Sequence, residues 1–299
     1  MRHLFIINPS AGKGSRQVDL VAAVKALPFP AEIVYTQKAG DGEQLARRAA
    51  EAGGDVRVYA CGGDGTLNEV VNGAAGYPNA AVTNVPLGTG NDFLKIFGKE
   101  NIARFNDLPA LAAGPQAAMD LIDCSGRLGI DIVCVGLDAR VAADVHRFKS
   151  LPLVGGIGAY ILALGENVLL KGLSQPMDIR AGDLRFRGDT ALVCVCSGRY
   201  YGGGFMPVGD NMPDDGKLET LVVPKVSLPT FARLVGKYAK GRYRDYPDRI
   251  LYRQGADVTV RSEEELTAVV DGEVLRSKEF SIRLSEKKVN FFFPDGVRY

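Results

Sequence analysis

A chain of 299 residues has room for two domains, each with a core of its own. Its 46% hydrophobic and 24% charged residues are globular values. A net charge of +1, with no basic block and no aromatic-interleaved basic patch, argues against a nucleic-acid binder that works by bulk charge.

The first third alternates strand and helix. Leu4 to Asn8 reads as a strand, Arg16 to Leu27 as a helix, Glu32 to Tyr35 as a strand and Gly42 to Ala52 as a helix. Val56 to Cys61 and Ala81 to Val85 read as further strands, with a helix from Leu67 to Ala75 between them. This order predicts a mainly parallel sheet with helices on both faces, and ligands at the carboxyl ends of its strands. Three loops rich in glycine or small residues fall there: Asn8 to Gly14, Gly62 to Thr66 and Pro86 to Asp92.

From about residue 118 the pattern becomes one of short alternating segments. They are Ala118 to Cys124, Ile130 to Val135, Ala191 to Ser197, Leu218 to Val223, Asp257 to Val260, Thr267 to Val270 and Phe280 to Leu284. They predict an antiparallel β domain, a sandwich, interrupted by helical insertions at about 138–172 and 227–240. The expected division is 1–123 for the α/β domain and 124–286 for the β domain. A last strand within about 287–299 is expected to return to the first domain.

Cys61, Cys124, Cys134, Cys194 and Cys196 lie in or beside apolar stretches, an odd, core-like set that reads as reduced thiols of a cytoplasmic protein. Cys194 and Cys196 share one strand face and are not expected to pair with each other. No zinc spacing is present, and His3 and His146 read as surface or structural residues. Leu4 to Ile7 is too short for a signal-peptide core. Leu151 to Leu170, with Pro152, four glycines and Glu166, is a poor membrane span.

Gly62-Gly63-Asp64-Gly65-Thr66 carries the most chemistry. It joins a buried strand to a helix start, where glycines let backbone N–H groups approach a phosphate and the helix dipole favours an anion. An aspartate inside such a turn repels phosphate unless a metal ion or a reacting proton sits beside it, which points to phosphoryl transfer with Mg²⁺. Asn8-Pro9-Ser10-Ala11-Gly12-Lys13-Gly14 supplies small residues and donors but lacks P-loop spacing. In Pro86-Leu87-Gly88-Thr89-Gly90-Asn91-Asp92-Phe93, Asp92 is either a plain helix cap or a second carboxylate at the same cleft as Asp64. Val270-Asp271-Gly272-Glu273 by itself is a hairpin signal, and Asn211 to Leu218 a turn entering a strand.

Together these segments make the chain resemble the diacylglycerol kinase catalytic-domain family, in its soluble bacterial lipid-kinase branch, related to sphingosine and ceramide kinases. Asn8-Pro9 with Gly12, Gly62 to Thr66, Pro86 to Phe93, Asp215-Gly216-Lys217-Leu218 and Asp271-Gly272-Glu273 carry the resemblance nearly end to end. The Gly-Gly-Asp-Gly-Thr stretch also occurs in NAD kinases, so a kinase for a soluble acceptor such as NAD is the first rival. A nucleotide-binding regulator without turnover is the second.

The resemblance implies ATP across the strand ends, contacted by Asn8, Pro9, Ser10, Ala11, Gly12, Thr36, Gly62, Gly63, Asp64, Gly65, Thr66, Leu67, Asn68 and Thr89. It implies that Asp64 organises Mg²⁺ and the phosphates, that Asp92 joins it in a water- and metal-linked network, and that Glu273 is the general base for a lipid hydroxyl. It also implies a structural Mg²⁺ at Asp215, completed by the backbone carbonyls of Met212 and Lys217. The substrate is expected to be a membrane lipid, diacylglycerol first, reached by transient peripheral contact with the membrane. A homodimer is open. For the lipid side the sequence offers Gly155 to Tyr160, the loop Tyr200 to Met206, and the cations Lys149, Lys171, Arg233, Lys237, Lys240, Arg242 and Arg244, each of which reads equally well as core, turn or solvated face.

Overall fold

The computed structural model describes residues 1–12, 14–88, 90–149, 162–255 and 257–299. Lys13, Thr89 and the stretch from Gly155 to Tyr160 lie outside the described residues.

The first sheet has six strands: β1 (Arg2–Ile7), β2 (Glu32–Tyr35), β3 (Val56–Gly62), β4 (Ala80–Pro86), β5 (Gln116–Met119) and β15 (Val289–Phe292), in the order β2-β1-β3-β4-β15-β5. The strands β2, β1, β3, β4 and β15 run parallel to one another, and β5 is antiparallel to β15. Strand β3 is buried along its whole length, as the continuous apolar run of a sheet covered on both faces requires. Helices α1 (Gly14–Lys25), α2 (Asp41–Glu51) and α3 (Asp64–Ala74) supply the crossovers.

The second sheet is antiparallel. It contains β6 (Ile122–Cys124), β7 (Arg127–Gly129), β8 (Ile132–Gly136), β9 (Gln175–Ala181), β10 (Leu184–Cys196), β11 (Leu218–Pro224), β12 (Leu251–Gly255), β13 (Asp257–Val270) and β14 (Glu273–Leu284). The long strands β10 and β13 each pair with β9 through their first halves and with β8 through their second halves. Their registers break at Thr190/Leu192 and Arg261/Leu266. Such irregularities bend a strand, so β10 and β13 turn from one layer of the sandwich to the other. Val133, Val135, Ile179, Val193, Val195, Val258 and Val260 fill the space between the layers.

Two strand readings need correction. Ala118 to Cys124 is not one strand, because the chain leaves the first sheet after Met119 and enters the second at Ile122. Asp257 to Val260 and Thr267 to Val270 are the two ends of one strand.

The strand β15, near the end of the chain, lies between β4 and β5. Phe291 is fully buried, packs edge-on against Phe93 with centroids 5.0 Å apart and stacks on Phe97 at 5.9 Å. Phe93–Phe97 is the 3₁₀ helix that directly follows Asp92. The end of the chain thus braces the loop that carries a candidate site residue. All five cysteines are free and buried, with Cys194 Sγ 3.5 Å from Cys196 Sγ on one strand face. Among the described residues no helix is long and apolar enough to cross a membrane.

Candidate active site

The site is built first from backbone. Gly62 closes β3, and a Cβ there would overlap the Thr66 hydroxyl. Gly63 stands at the N-cap of α3, which has no side-chain cap, so the first-turn N–H groups face the cleft. Gly65 on that turn has open space where a Cβ would project. A Cβ on Gly88 would come within 3.0 Å of the Gly63 Cα, so the second and third glycine loops touch.

Asn8 ties in the first loop: its Nδ2 donates to Thr66 Oγ1 at 3.1 Å, and its Oδ1 accepts the Ser10 N–H at 2.9 Å. Gly12 has φ +75° and lies against the Leu87 carbonyl, a position closed to a side chain on both counts. Ala11 donates its N–H to the Asn8 carbonyl, and the Thr36 N–H donates to Ile7, placing Thr36 at the same sheet edge. Leu67 points into the core beneath, and Pro9 accepts from Gln17 on α1. The result is a cradle of backbone N–H groups with an uncapped helix end, a donor set that fits a nucleotide's phosphates.

Two carboxylates meet in this cradle. The Asp92 N–H donates to Asp64 Oδ1 at 2.5 Å. The Asp92 carboxylate makes no cap bond to its 3₁₀ helix, so the capping reading is set aside. One of its oxygens pairs with Lys95 and the other accepts the Gly203 N–H at 2.8 Å. Gly203 belongs to the glycine-rich loop of the β domain, so Asp92 joins the two domains. The Asp64 carboxyl is pushed up to about 6, mainly by burial, then by the neighbouring charges of Asp92 and Asp271.

The hairpin between β13 and β14 arrives from the other side. Asp271 takes the left-handed conformation at φ +46°. Its carboxylate accepts the N–H groups of Ile130 at 2.6 Å, Ile132 at 2.8 Å and Asp131 at 3.2 Å, together with Asn68 Nδ2 of α3 at 3.2 Å. Burial raises its carboxyl, and those donors oppose the rise. The bond to Asn68 pins the hairpin tip to the first turns of α3. Glu273, two residues on, opens β14, half-buried, and none of the described residues hydrogen-bonds its carboxylate.

A further carboxyl, that of Asp131, was not expected. Asp131 is 5% exposed, and its carboxyl is held well above the usual range by burial and then by Asp271, Asp92 and Asp64. Its Oδ1 presses on Gly198, where no Cβ fits, and has no hydrogen-bond partner among the described residues. A carboxylate inside the apolar run from Gly129 to Val135 was the signal available in the sequence. Lys95 follows Asp92 by three residues, a spacing that was itself a signal for the pair, whereas Gly203 gave none, since its partner lies 111 positions away.

The segment around Asp215 has partners of its own. Asp215 is exposed and accepts the Lys217 N–H at 3.0 Å. Beneath it, Asp120 accepts the Gly216 N–H at 2.7 Å and pairs with Lys288 at 2.7 Å. Met212 Sδ meets the Arg199 guanidinium at 3.1 Å. Among the described residues no group of three or more acidic, histidine or cysteine side chains is arranged to hold a metal. One carboxylate with backbone carbonyls, or the looser Asp64–Asp92 pair, suits Mg²⁺, which takes one or two carboxylates and keeps several waters.

Comparison with known proteins adds the lineage. Residues 2–124 match the diacylglycerol kinase catalytic domain, and residues 131–291 match the YegS C-terminal NAD kinase beta sandwich-like domain. Proteins named diacylglycerol kinase from Staphylococcus aureus, strains bovine RF122 / ET3-1 and MRSA252, are each 28% identical over 99% of this chain and 93% of their own length. A crystal structure of a diacylglycerol kinase from Bacillus anthracis superposes with a TM-score of 0.71 at 22% identity, over 99% of this chain and 98% of that one, which shows a shared fold. A glycine-loop α/β domain joined to this sandwich, with acidic residues at the junction, defines a two-domain phosphotransferase with a hydroxyl acceptor. The chain belongs to the YegS-like lipid kinase family, in which a diacylglycerol kinase catalytic domain precedes the YegS-type sandwich.

Proposed function

We propose that this protein transfers the γ-phosphate of ATP to a lipid hydroxyl with the help of Mg²⁺, diacylglycerol to phosphatidic acid being the leading case. The observation that carries the reading is the Asp64–Asp92 pair beside the bare N-terminus of α3, met by a hairpin bearing Glu273 from the other domain.

The N–H groups of the three glycine loops hold the phosphates, and Asn8 and Thr66 keep the loops together. Asp64 and Asp92 would supply oxygen ligands to Mg²⁺. When bound there, the ion would neutralise charge on the transferring phosphate. Glu273 takes the proton of the attacking hydroxyl, a role that needs it within hydrogen-bond reach. The nucleotide lies on one domain and the base on the other, so their relative placement governs turnover.

An apolar acceptor is supported by the sandwich. A narrow cavity of about 30 Å³ is lined by Leu192, Phe205, Val223, Phe231, Leu234 and Tyr238, with Asp138 in its wall. It is too small for an acyl chain as it stands, so a chain enters only as the loop at Gly202, Gly203 and Gly204 moves. All three glycines have positive φ.

The test is transfer of labelled γ-phosphate to a panel of lipids in mixed micelles with Mg²⁺, for wild type and Glu273→Ala. A labelled lipid lost in the variant supports kinase, acceptor class and base together. Label found only on NAD or another soluble acceptor defeats the lipid reading. ATP binding without transfer to any acceptor makes the chain a sensor.

A further inference from the structure

We propose that Leu162, Leu169, Leu170 and Leu228 form the surface on which this protein docks to an anionic lipid bilayer. The inference rests on the lipid-kinase reading for its choice of partner, and on four observations for its location.

The first is exposure. Leu169 and Leu170 are 82% and 75% exposed, with Leu228 at 54% and Leu162 at 44%. Three of the four fall between residues 162 and 171. Adjacent, nearly bare leucines are costly in water and mark an interaction site when they cluster.

The second is presentation. Leu169 and Leu170 lie on a single π-helical turn, Asn167–Lys171, a rare geometry that recurs at functional positions. The turn is anchored: buried Asn167 donates to Asp144 Oδ2 at 2.8 Å and to the Ala163 carbonyl at 2.9 Å, and Arg140 donates to the Gly172 carbonyl at 2.8 Å. The leucines are therefore held outward by a fixed frame.

The third is continuity with the site. Val168 and Leu164 pack in one cluster with Phe231, on the helix Leu228–Tyr238 that Leu228 opens. Phe231 also lines the narrow cavity, whose wall holds Asp138. Asp138 accepts from the Tyr201 hydroxyl, and two residues on, Gly203 donates to Asp92. A contiguous path thus joins the bare leucines to the acidic pair.

The fourth is charge. The helix Leu228–Tyr238 contains Arg233 and Lys237 and no carboxylate, and exposed Lys240 follows it. Apolar residues beside cations suit an anionic bilayer, where leucines enter the acyl boundary and cations meet headgroups. A second copy of this chain is the poorer occupant, because a two-fold contact through this face would set Arg233 and Lys237 against their own counterparts.

The experiment compares wild type, Leu169→Glu/Leu170→Glu and Arg233→Glu/Lys237→Glu. It measures co-sedimentation with vesicles of phosphatidylcholine alone or with phosphatidylglycerol, the solution mass, and phosphorylation of a short-chain, monomerically dissolved diacylglycerol. The leucine variant is expected to bind mixed vesicles about tenfold or more weakly while keeping activity on the soluble lipid. The charge variant is expected to lose binding to the anionic vesicles only. Unchanged vesicle binding by the leucine variant overturns the docking surface. So does a wild-type dimer that the leucine variant dissociates, or equal loss of activity on the soluble lipid by a folded variant. Vesicle binding that depends on the leucines, with no phosphorylation of any acylglycerol by wild type, sinks the kinase reading and leaves the docking surface standing.

Discussion

The two candidate ligand sites, one in each domain, are built in opposite ways. In the α/β domain the candidate nucleotide site is made of backbone: glycines at loop closures, a helix with no side-chain cap and an asparagine that stitches two loops together. In the sandwich the candidate lipid side is made of side chains gathered from β10, β11, the helix Leu137–Lys149 and the helix Leu228–Tyr238 around a small cavity. Backbone sites require particular residues at fixed spacing, because few residues tolerate a close approach or a positive φ. Apolar sites accept any side chains of suitable size, so they leave little trace in a motif.

The sharpest break between the halves comes from Glu273. Glu273→Ala is expected to lower phosphate transfer by about 10²–10⁴-fold while nucleotide binding, measured by calorimetry, stays as in wild type. Loss of both together would place Glu273 in the nucleotide site and blur the division.

Next in size is the brace from the end of the chain. Phe291→Ala removes a fully buried ring packed on Phe93 and Phe97, and is expected to cost about 3–5 kcal/mol in urea unfolding. A loss under about 1 kcal/mol would show that the loop carrying Asp92 stands without it.

Asp64→Asn separates function from stability. Its carboxyl is raised in the folded protein to about 6 from the ordinary value of 3.8. The unfolded chain therefore ionises first, and the penalty on folding is absent below that unfolded value, grows between the two and is complete above about pH 6. Metal-free Asp64→Asn should gain about 2–3 kcal/mol over wild type at pH 7, with the gain vanishing toward pH 4, and should lose transfer activity. A gain that does not change with pH would assign the effect to packing instead.

The smallest effect is expected from Tyr201→Phe, which removes the hydroxyl donor from buried Asp138, whose carboxyl burial already pushes up to about 6. A cost of about 1–2 kcal/mol in thermal unfolding, with a raised KM for lipid and an unchanged KM for ATP, is the expected pattern. A changed KM for ATP alone would move Tyr201 to the nucleotide side.

Much of the first domain was legible because each element there is local. Val56 to Cys61 and Glu32 to Tyr35 announced strands by continuous apolar or β-branched runs, and their observed limits differ by a residue or less. The second domain was legible in kind but not in connection. Strand β9 was missed although Met177, Ile179 and Ala181 alternate as buried residues with Asp178 and Arg180; the alternation is short and opens on Gln175-Pro176, and β10 and β13 flank it in the sheet. The division of Ala118 to Cys124 between two sheets was equally invisible, since both halves alternate in the same way.

By itself the sequence determined the glycine loops, the identity of the acidic residues and the change from α/β to β at about residue 118. These depend on local backbone chemistry and on the period of the hydrophobic pattern. Only the tertiary structure decided that Asp92 reaches Gly203 across the domains, that Asp271 is caged by the N–H groups at the start of β8, and that Asp131 joins them. Those contacts join residues separated by more than a hundred positions, and local propensity carries no information about which distant groups folding brings within hydrogen-bond reach.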